Sequence, residues 1–383
     1  MPAPLAADYG TLSLTPAPDQ PLAAVGLRHR LWDHPSQEHP RQLTSLPPAC
    51  DKDVDLTSTV AGVVPIAAQD NLICTSSDID SYVGQDGKTY VVQAGGPEAA
   101  WVHTDLSDPS SPVLIAIWVW AGQAGANTNT PDVKAFSQGG RDYIALSLER
   151  FAQLAFCGVV IMDVTDLLNP TLVEQFIGAD WCDVHNVFVE KGGSGDGAFI
   201  YVTADNTQDL RVLDISNLSA ITELGKYQRT VRGFGVTVFD DIYVHDVTVV
   251  AGKVYASYWL AGLDIFDASL IKVPGATVDE TNPAVINITP PLFAGTPFLV
   301  HHAFPSGAGS HVFVQDEITF AAGFEPVQMW TTASSPAYVD GIELGGSGAA
   351  DVPFALPAHN LEVRFDLDLD GDGSPDDRLY VGW

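Results

Sequence analysis

A unit of short apolar segments recurs at nearly constant spacing along the 383-residue chain. The unit heads are Asp78, Asp132, His185, His245, His302 and His359, at intervals of 54, 53, 60, 57 and 57 residues. Each head opens a strand-like segment, and a second one follows, as in "KVYASYW" and "HVFVQDE". Most units add a third segment that ends in an aspartate turn, such as "VVIMDVTDLLNP", and a fourth outer one such as "AVINIT". Aspartate followed by Ser or Thr and then Asp or Asn favours Asx-type turns.

Four short strands in each unit of roughly 40–60 residues are typical of a β-propeller blade. A single sheet cannot bury both of its faces, whereas sheets stacked around an axis bury them and leave only short edges exposed. The 34 Gly and 26 Pro residues suit the many turns of such a fold. We therefore predict an all-β protein, a propeller of six four-stranded blades, or seven if the N-terminal region contributes more.

The last unit starts at His359 and shows only two strands before Trp383. The early stretch "VGLRHRLWDHPSQEHP" loosely echoes "AGLDIFDAS" from a complete unit. We therefore divide the chain into an N-terminal arm, residues 1–70, and a propeller, residues 71–383. The arm either supplies strands that close the ring or wraps around its outside.

The units "GVVIMDVTDLLNP" and "DLRVLDISNLSA" resemble LVIVD repeats, and the order of segments over residues 75–383 is similar to that of choice-of-anchor B proteins. This resemblance implies the propeller fold and a bacterial surface or secreted protein, but it says little about activity. The segment "KVYASYWLAGLDIFDAS" also resembles selenium-binding-protein propellers, which are metal-dependent methanethiol oxidases.

Charge and composition limit the kinds of binding partner and the cellular location that we expect. The formal net charge is −31, which repels nucleic acid and anionic membranes. We therefore expect no nucleic-acid binding. The sequence also has no transmembrane run, so we expect no membrane insertion. The start "MPAPLAADYG" lacks the charged and apolar regions of a signal peptide, which leaves a cytoplasmic protein or one whose signal has been removed. Acidity and a calcium-type loop favour an extracellular or periplasmic location.

The four cysteines show no zinc-type CxxC spacing. In an oxidising compartment they could form the disulfides Cys50–Cys74 and Cys157–Cys182. Four buried thiols are the alternative.

Histidines head four successive units. The first strand of each propeller blade lies closest to the axis, so residues at the strand heads surround one mouth of the central channel. The predicted ligands of a transition metal, Fe, Cu or Zn, are His185, His245, His302 and His359. His301 could replace His302, because the doublet leaves the pleat phase open. In the alternative interpretation, each histidine simply bonds to its neighbour as a structural element of the repeat.

Other side chains near the strand heads could complete this site. Carboxylates that could orient the imidazoles are Asp183, Asp246, Asp316, Glu317 and Glu362. Among them, Asp183, Asp246 and Glu317 are our candidate catalytic residues. Asp78 and Asp132 would line the rest of the mouth. Aromatic residues that could wall a pocket, or else belong to the core, are Trp181, Tyr258, Trp259 and Trp383.

The segment "DLDLDGDGSPDD" resembles a calcium loop between two strands. Asp368, Asp370, Asp372 and Asp376 stand at positions one, three, five and nine, and glycine stands at position six. Leu379 occupies position twelve, where a calcium loop normally has Glu. The segment therefore predicts either bound Ca²⁺ that braces a hairpin or a solvated acidic turn.

These features predict a metal-dependent propeller enzyme, most plausibly an oxidoreductase or oxygenase that acts on a small molecule. A metal-dependent lyase or hydrolase could use the same cluster. The alternative from another class is a non-catalytic secreted or cell-surface module that binds glycan or protein and carries structural calcium.

Overall fold

The chain is described by a computed structural model. The described residues are 41–42, 77–95, 100–108, 113–119, 128–150, 157–193, 195–229, 243–290, 298–316, 327–342, 360–367 and 376–382. All of them lie in one compact unit, Glu38–Trp383. None of them forms a helix long and apolar enough to cross a membrane.

The described residues form six sheets, in which most strands pair with a neighbour in the chain. The first sheet contains β1 (Arg41–Gln42), β2 (Asp78–Val83), β3 (Thr89–Gly95), β4 (Ala100–Asp105) and β5 (Val113–Val119). The second contains β6 (Thr128–Asn129), β7 (Val133–Gln138), β8 (Arg141–Arg150), β9 (Gly158–Asp163) and β10 (Thr171–Phe176). The third contains β11 (Val184–Lys191), β12 (Gly197–Ala204), β13 (Asp209–Asp214) and β14 (Thr222–Gln228).

The fourth sheet has the same antiparallel order but includes an excursion. Its strands are β15 (Asp246–Val250), β16 (Lys253–Ser257), β17 (Leu263–Asp267) and, after the excursion, β19 (Ile286–Ile288). The excursion contains the 3-10 helix Ala268–Leu270 and β18 (Thr277–Asp279), which pairs in parallel with β14 of the third sheet. The fifth sheet contains β20 (Val300–Pro305), β21 (His311–Asp316), β22 (Val327–Thr331) and β23 (Tyr338–Ile342). The sixth contains β24 (Asn360–Leu367) and β25 (Asp376–Gly382).

The core consists of apolar layers between neighbouring sheets. Phe136 of the second sheet packs with Ile200 of the third, and Tyr227 of the third packs with Phe266 of the fourth. Tyr255 of the fourth sheet belongs to the same cluster as Trp330 of the fifth. Because sheets cover one another on both faces, the middle strands are largely buried, and the apolar run of β9 is buried along its whole length.

The first strands of the sheets pack against one another in chain order, β2 with β7, β7 with β11, β11 with β15, β15 with β20 and β20 with β24. Side chains at the strand heads also join several of these neighbouring first strands. Asp132 Oδ2 accepts the N–H of Val187 at 2.7 Å, and the Asn186 side-chain amide donates to the His245 carbonyl at 3.0 Å. This arrangement confirms the predicted all-β propeller and brings the strand heads together. The number of blades in the ring stays a prediction.

The predicted aspartate turns are also confirmed. Asp105, Asp163, Asp214 and Asp267 each end the third strand of a sheet. Each accepts, through Oδ1, the N–H of the Ser or Thr two residues on, at 2.8–3.1 Å. The side chain thereby replaces a backbone partner in the turn, which explains why the repeat ends its third strand with aspartate.

The described residues include one of the two predicted disulfides and a small part of the predicted N-terminal arm. Cys157 and Cys182 form a disulfide, whereas Cys50 and Cys74 lie outside the described residues. Within the described part of the predicted 1–70 arm, β1 pairs with β5 at the outer edge of the first sheet. Closure of the last sheet by this arm stays a prediction, because the rest of residues 1–70 lie outside the described ranges.

Candidate metal centre

Three imidazoles from successive sheets meet at the strand heads. His185 is the second residue of β11, His245 directly precedes β15, and His301 is the second residue of β20. The His245 ring centroid lies 4.4 Å from that of His185 and 4.2 Å from that of His301. His245 and His301 are buried, whereas the His185 side chain is 25% exposed. The row of imidazoles therefore runs from the interior to solvent.

β-Bulges aim two of these rings. The pairing of β11 with β12 shifts between Val184 and Val187, and the pairing of β20 with β21 shifts between Val300 and His302. A bulge adds an unpaired residue and redirects the side chains beside it. The structure accordingly places His301, the alternative that the doublet left open, against His245.

His302 has a different partner. Its Nδ1 lies 2.5 Å from Asp246 Oδ2, and its Nε2 lies 3.5 Å from Thr248 Oγ1. Burial alone would raise the pKa of Asp246, but the neighbouring His302 outweighs burial and the pKa lies below its usual range. Asp246, one of the predicted catalytic acids, therefore orients His302 across the gap between the fourth and fifth sheets.

Two carboxylates that the sequence analysis did not single out lie beside His185. Glu149 is near the end of β8, and Asp205 directly follows β12. Glu149, His185 and Asp205 each offer one ligand atom, and these atoms all lie within 4.8 Å of one another. The second strand of a blade runs antiparallel to the first, so its last residues return to the head of a first strand. A search of second-strand ends would have found both acids.

The charges of this group are coupled. Burial would lower the pKa of His185, but its contact with Glu149 and the charges of Asp205 and Glu149 raise the pKa above its ordinary value. Burial raises the pKa of Asp205 well above its ordinary value, and repulsion by Glu149 adds to this. For Glu149, burial is outweighed by the contact with His185, and the pKa is lowered. The charged forms of His185 and Glu149 therefore stabilise each other, whereas burial and repulsion disfavour the charged form of Asp205.

Of the four aromatic residues predicted as pocket walls, Trp259 reaches this group. Its ring centroid lies 4.4 Å from that of His245, in an edge-on arrangement. Its φ is +42°, an uncommon backbone conformation for a bulky side chain, and two hydrogen bonds to Val300 hold it in place. Trp181 and Tyr258 are instead core residues, and Trp383 lies outside the described residues.

The acids predicted to complete the mouth are paired with a lysine. Lys134 Nζ lies 2.6 Å from Asp78 Oδ2 and also bonds to Asp132 Oδ1. The second oxygen of Asp132 accepts the N–H of Val187. Asp78 and Asp132 therefore join neighbouring first strands through a buried charge cluster.

Some of the remaining predicted site residues lie within the described ranges, and the others lie outside them. The Asp183 carbonyl accepts the Asp205 N–H at 3.0 Å, and Asp316 Oδ2 accepts the Leu299 N–H at 2.5 Å. Asp376 opens β25. Residues outside the described ranges are Glu317, His359, Asp368, Asp370 and Asp372. The fourth histidine and the calcium loop therefore stay predictions.

The fold and one sequence match place the protein in a class. Stacked antiparallel sheets with their first strands packed in sequence define a β-propeller. The family model described as LVIVD repeat matches residues 194–229, which include β12, β13 and β14. The chain is a β-propeller that contains an LVIVD repeat, as its repeated units predicted. The similarity to selenium-binding propellers stays an expectation.

Comparisons with solved structures return matches at low identity. The Cps50 (Swd1) β-propeller domain of Myceliophteria thermophila is 12% identical, with a TM-score of 0.39 over 74% of this chain and 71% of that chain. A provisionally assigned 6-phosphogluconolactonase from Bacteroides fragilis NCTC 9343 is 12% identical, with a TM-score of 0.46 over 74% and 72%. Similarity at this level supports no inference about activity. A comparison with curated proteins gives no match.

Proposed function

We propose that this propeller is a metal-dependent oxidoreductase that acts on a small molecule, with one metal ion bound at the strand heads. The observation that carries the proposal is the approach of His185, His245 and His301 to within 4.2–4.4 Å between adjacent ring centroids. Glu149 and Asp205 add oxygen donors beside His185. Imidazole with carboxylate suits iron in oxygenases and is also compatible with copper or zinc.

The residues around such a site would have different roles. His245 and His301 are buried and hold their rings in a dry environment, where water does not compete for the nitrogen atoms. His185 and Glu149 are each about a quarter exposed, so a small molecule would enter from their side. Asp205 adds an oxygen donor on the same side of the site, and burial raises the pKa of this carboxyl. A bound iron or copper ion would supply the redox chemistry.

A second candidate is a non-catalytic binding propeller. The His302–Asp246 contact favours it, because it shows that a histidine at a strand head can serve only to connect two sheets. In that case the imidazole row would be structural, and the calcium loop would supply rigidity. In either case we propose an extracellular or periplasmic location, which the Cys157–Cys182 disulfide supports.

Adjacent histidines provide a sharp test of the metal site. We would purify the full chain without an affinity tag, together with H301A and H302A, and measure bound transition metals by elemental analysis. We expect about one equivalent in the wild type and in H302A, and none in H301A with its β-sheet circular dichroism retained. Wild-type protein without a transition metal, or equal loss in both variants, would contradict the proposed site.

The reaction class needs a separate measurement. We would load the metal-free protein with Fe²⁺, Cu²⁺ or Zn²⁺ and follow oxygen consumption with a panel of small thiols, phenols and alkenes. An oxidoreductase should consume oxygen with iron or copper and remain inactive with zinc. Activity that zinc supports, without oxygen uptake, would instead indicate a lyase or hydrolase.

A further inference from the structure

The disulfide and the candidate metal centre join the same two sheets. Glu149 comes from β8 of the second sheet, whereas His185 and Asp205 come from the third. Cys157 directly precedes β9 of the second sheet, eight residues after Glu149. Cys182 stands three residues before His185. The covalent bond therefore lies close in sequence to the ligands on both sides of the site.

The cysteine on the third sheet belongs to a network that reaches Asp205. The Cys182 N–H donates to Asn206 Oδ1 at 3.1 Å, and Asn206 Nδ2 donates to the Asp180 carbonyl at 3.1 Å. The N–H of Asp205, which precedes Asn206, donates to the carbonyl of Asp183, which follows Cys182, at 3.0 Å. Movement of Cys182 would therefore shift the segment that leads into His185 and the turn that carries Asp205.

The same segment is held on the third sheet without the disulfide. The Trp181 side chain is almost fully buried, and its Nε1 donates to Glu223 Oε2 at 3.0 Å. Asp180 pairs with Arg211 at 3.1 Å. What the disulfide adds is a link to Cys157, whose carbonyl accepts a hydrogen bond from Gln175 of the second sheet. We therefore expect its loss to leave both sheets folded and to loosen their spacing.

We propose that the Cys157–Cys182 disulfide fixes the distance between Glu149 and the His185–Asp205 pair, so that the affinity of the site for metal depends on the oxidation state of these cysteines. This inference rests on the proposed metal centre. A dithiol reduces the bond: two electrons and two protons pass to the protein sulfurs, giving two thiols, and the dithiol becomes a disulfide. The reduced protein would bind metal more weakly than the oxidised protein.

The test uses the full chain and Zn²⁺ as a redox-silent probe, in competition with a chromophoric chelator. The variant C157A/C182A removes the link and also removes thiols that could themselves bind zinc. We expect its affinity for zinc to fall about tenfold. This is the lower end of the loss seen when a residue that orients a metal ligand is removed. Reduced wild-type protein, desalted without oxygen, should bind zinc more weakly and regain its affinity after reoxidation.

A matched variant separates positioning from general stability. E223Q weakens the anchor of Trp181 on the same segment but leaves the disulfide intact. We expect it to lower the melting temperature while zinc affinity changes less than twofold. Equal zinc affinity of C157A/C182A and wild type would overturn the inference, as would an equal loss in E223Q. If the oxidised wild type binds no zinc and no other transition metal, the proposed function itself fails.

Discussion

The heads of the first strands carry different chemistry on two sides of the propeller. On β2 and β7, Asp78 and Asp132 enclose Lys134, and every strong charge has an opposite partner. On β11, β15 and β20, the imidazoles of His185, His245 and His301 face one another. In the first group, one ammonium bridges the two carboxylates and offsets part of their charge. The second group consists of imidazoles, and it is here that we propose the metal ion.

The regularity of the strand pairing also differs between the aspartate side and the histidine side. The pairings of β2 with β3 and of β7 with β8 are regular, whereas β11 and β20 are bulged at the head. Bulges disrupt the ladder locally, and proteins retain them where a side chain must be redirected. One repeat position thus carries ion-paired carboxylates on one side of the ring and neighbouring imidazoles on the other.

The comparison predicts the largest loss of stability on the aspartate side. K134M leaves Asp78 and Asp132 without their cation, and breaking a buried ion pair in this way should lower the free energy of unfolding by about 3 kcal/mol. Urea denaturation at pH 7 measures the change. The control is K88M: Lys88 pairs with Asp105 at the surface and is 53% exposed, so we expect at most about 1 kcal/mol. Equal effects would remove the distinction between the two sides.

The histidine side should show the reverse profile. H245A removes the central imidazole of the row. We expect zinc affinity to fall by about 100-fold, because losing a direct ligand should cost at least as much as losing a residue that only orients a ligand. The unfolding free energy of the metal-free protein should change less than in K134M. H311A is the matched control, because His311 contacts Ser310 far from the row and should leave zinc affinity unchanged. A stability loss in H245A without any loss of affinity would make the row structural.

Strong acid should weaken the aspartate side. Burial would raise the pKa of Asp78, but Lys134 and hydrogen bonds lower the pKa to about 2, below its ordinary value of 3.8. A lowered folded-state pKa means that Asp78 stabilises the fold above pH 3.8 and loses this contribution as the pH falls through about 2. D78N should therefore cost about 2 kcal/mol at pH 7. Denaturation at several pH values should show the difference between D78N and wild type shrinking below pH 4, and a pH-independent difference would contradict this account.

The repeat made the fold predictable, because strand pairing in a propeller is local. Second-strand segments such as "DYIALSL" and third-strand segments such as "VVIMD" appear in the structure as β8 and β9. The aspartate turns followed from side-chain chemistry within two residues. His185 and His245 were also accessible from the sequence, since equivalent positions on consecutive first strands must become neighbours around an axis.

The rest of the site depends on details that periodicity does not contain. Alternation along β20 cannot select between His301 and His302, because the bulge between Val300 and His302 resets the pleat. Glu149 and Asp205 lie at the ends of second strands, and their approach to His185 depends on strand length. Lys134 was missed because its charge matters only once Asp78 and Asp132 are brought beside it.

The smallest expected effect concerns the connection between the β11 and β15 heads of the histidine side. The Asn186 side-chain amide donates to the His245 carbonyl, and its own N–H bonds to Thr203. N186A should cost about 1 kcal/mol of stability, the usual net value of one hydrogen bond. Because the lost bond spans the His185–His245 gap, zinc affinity should also fall a few-fold, as measured by chelator competition. N169A removes a comparable amide bond, to Asp166 in a surface turn, and should leave zinc affinity unchanged. Unchanged zinc affinity in N186A would mean that the bulged heads alone hold the imidazoles in position.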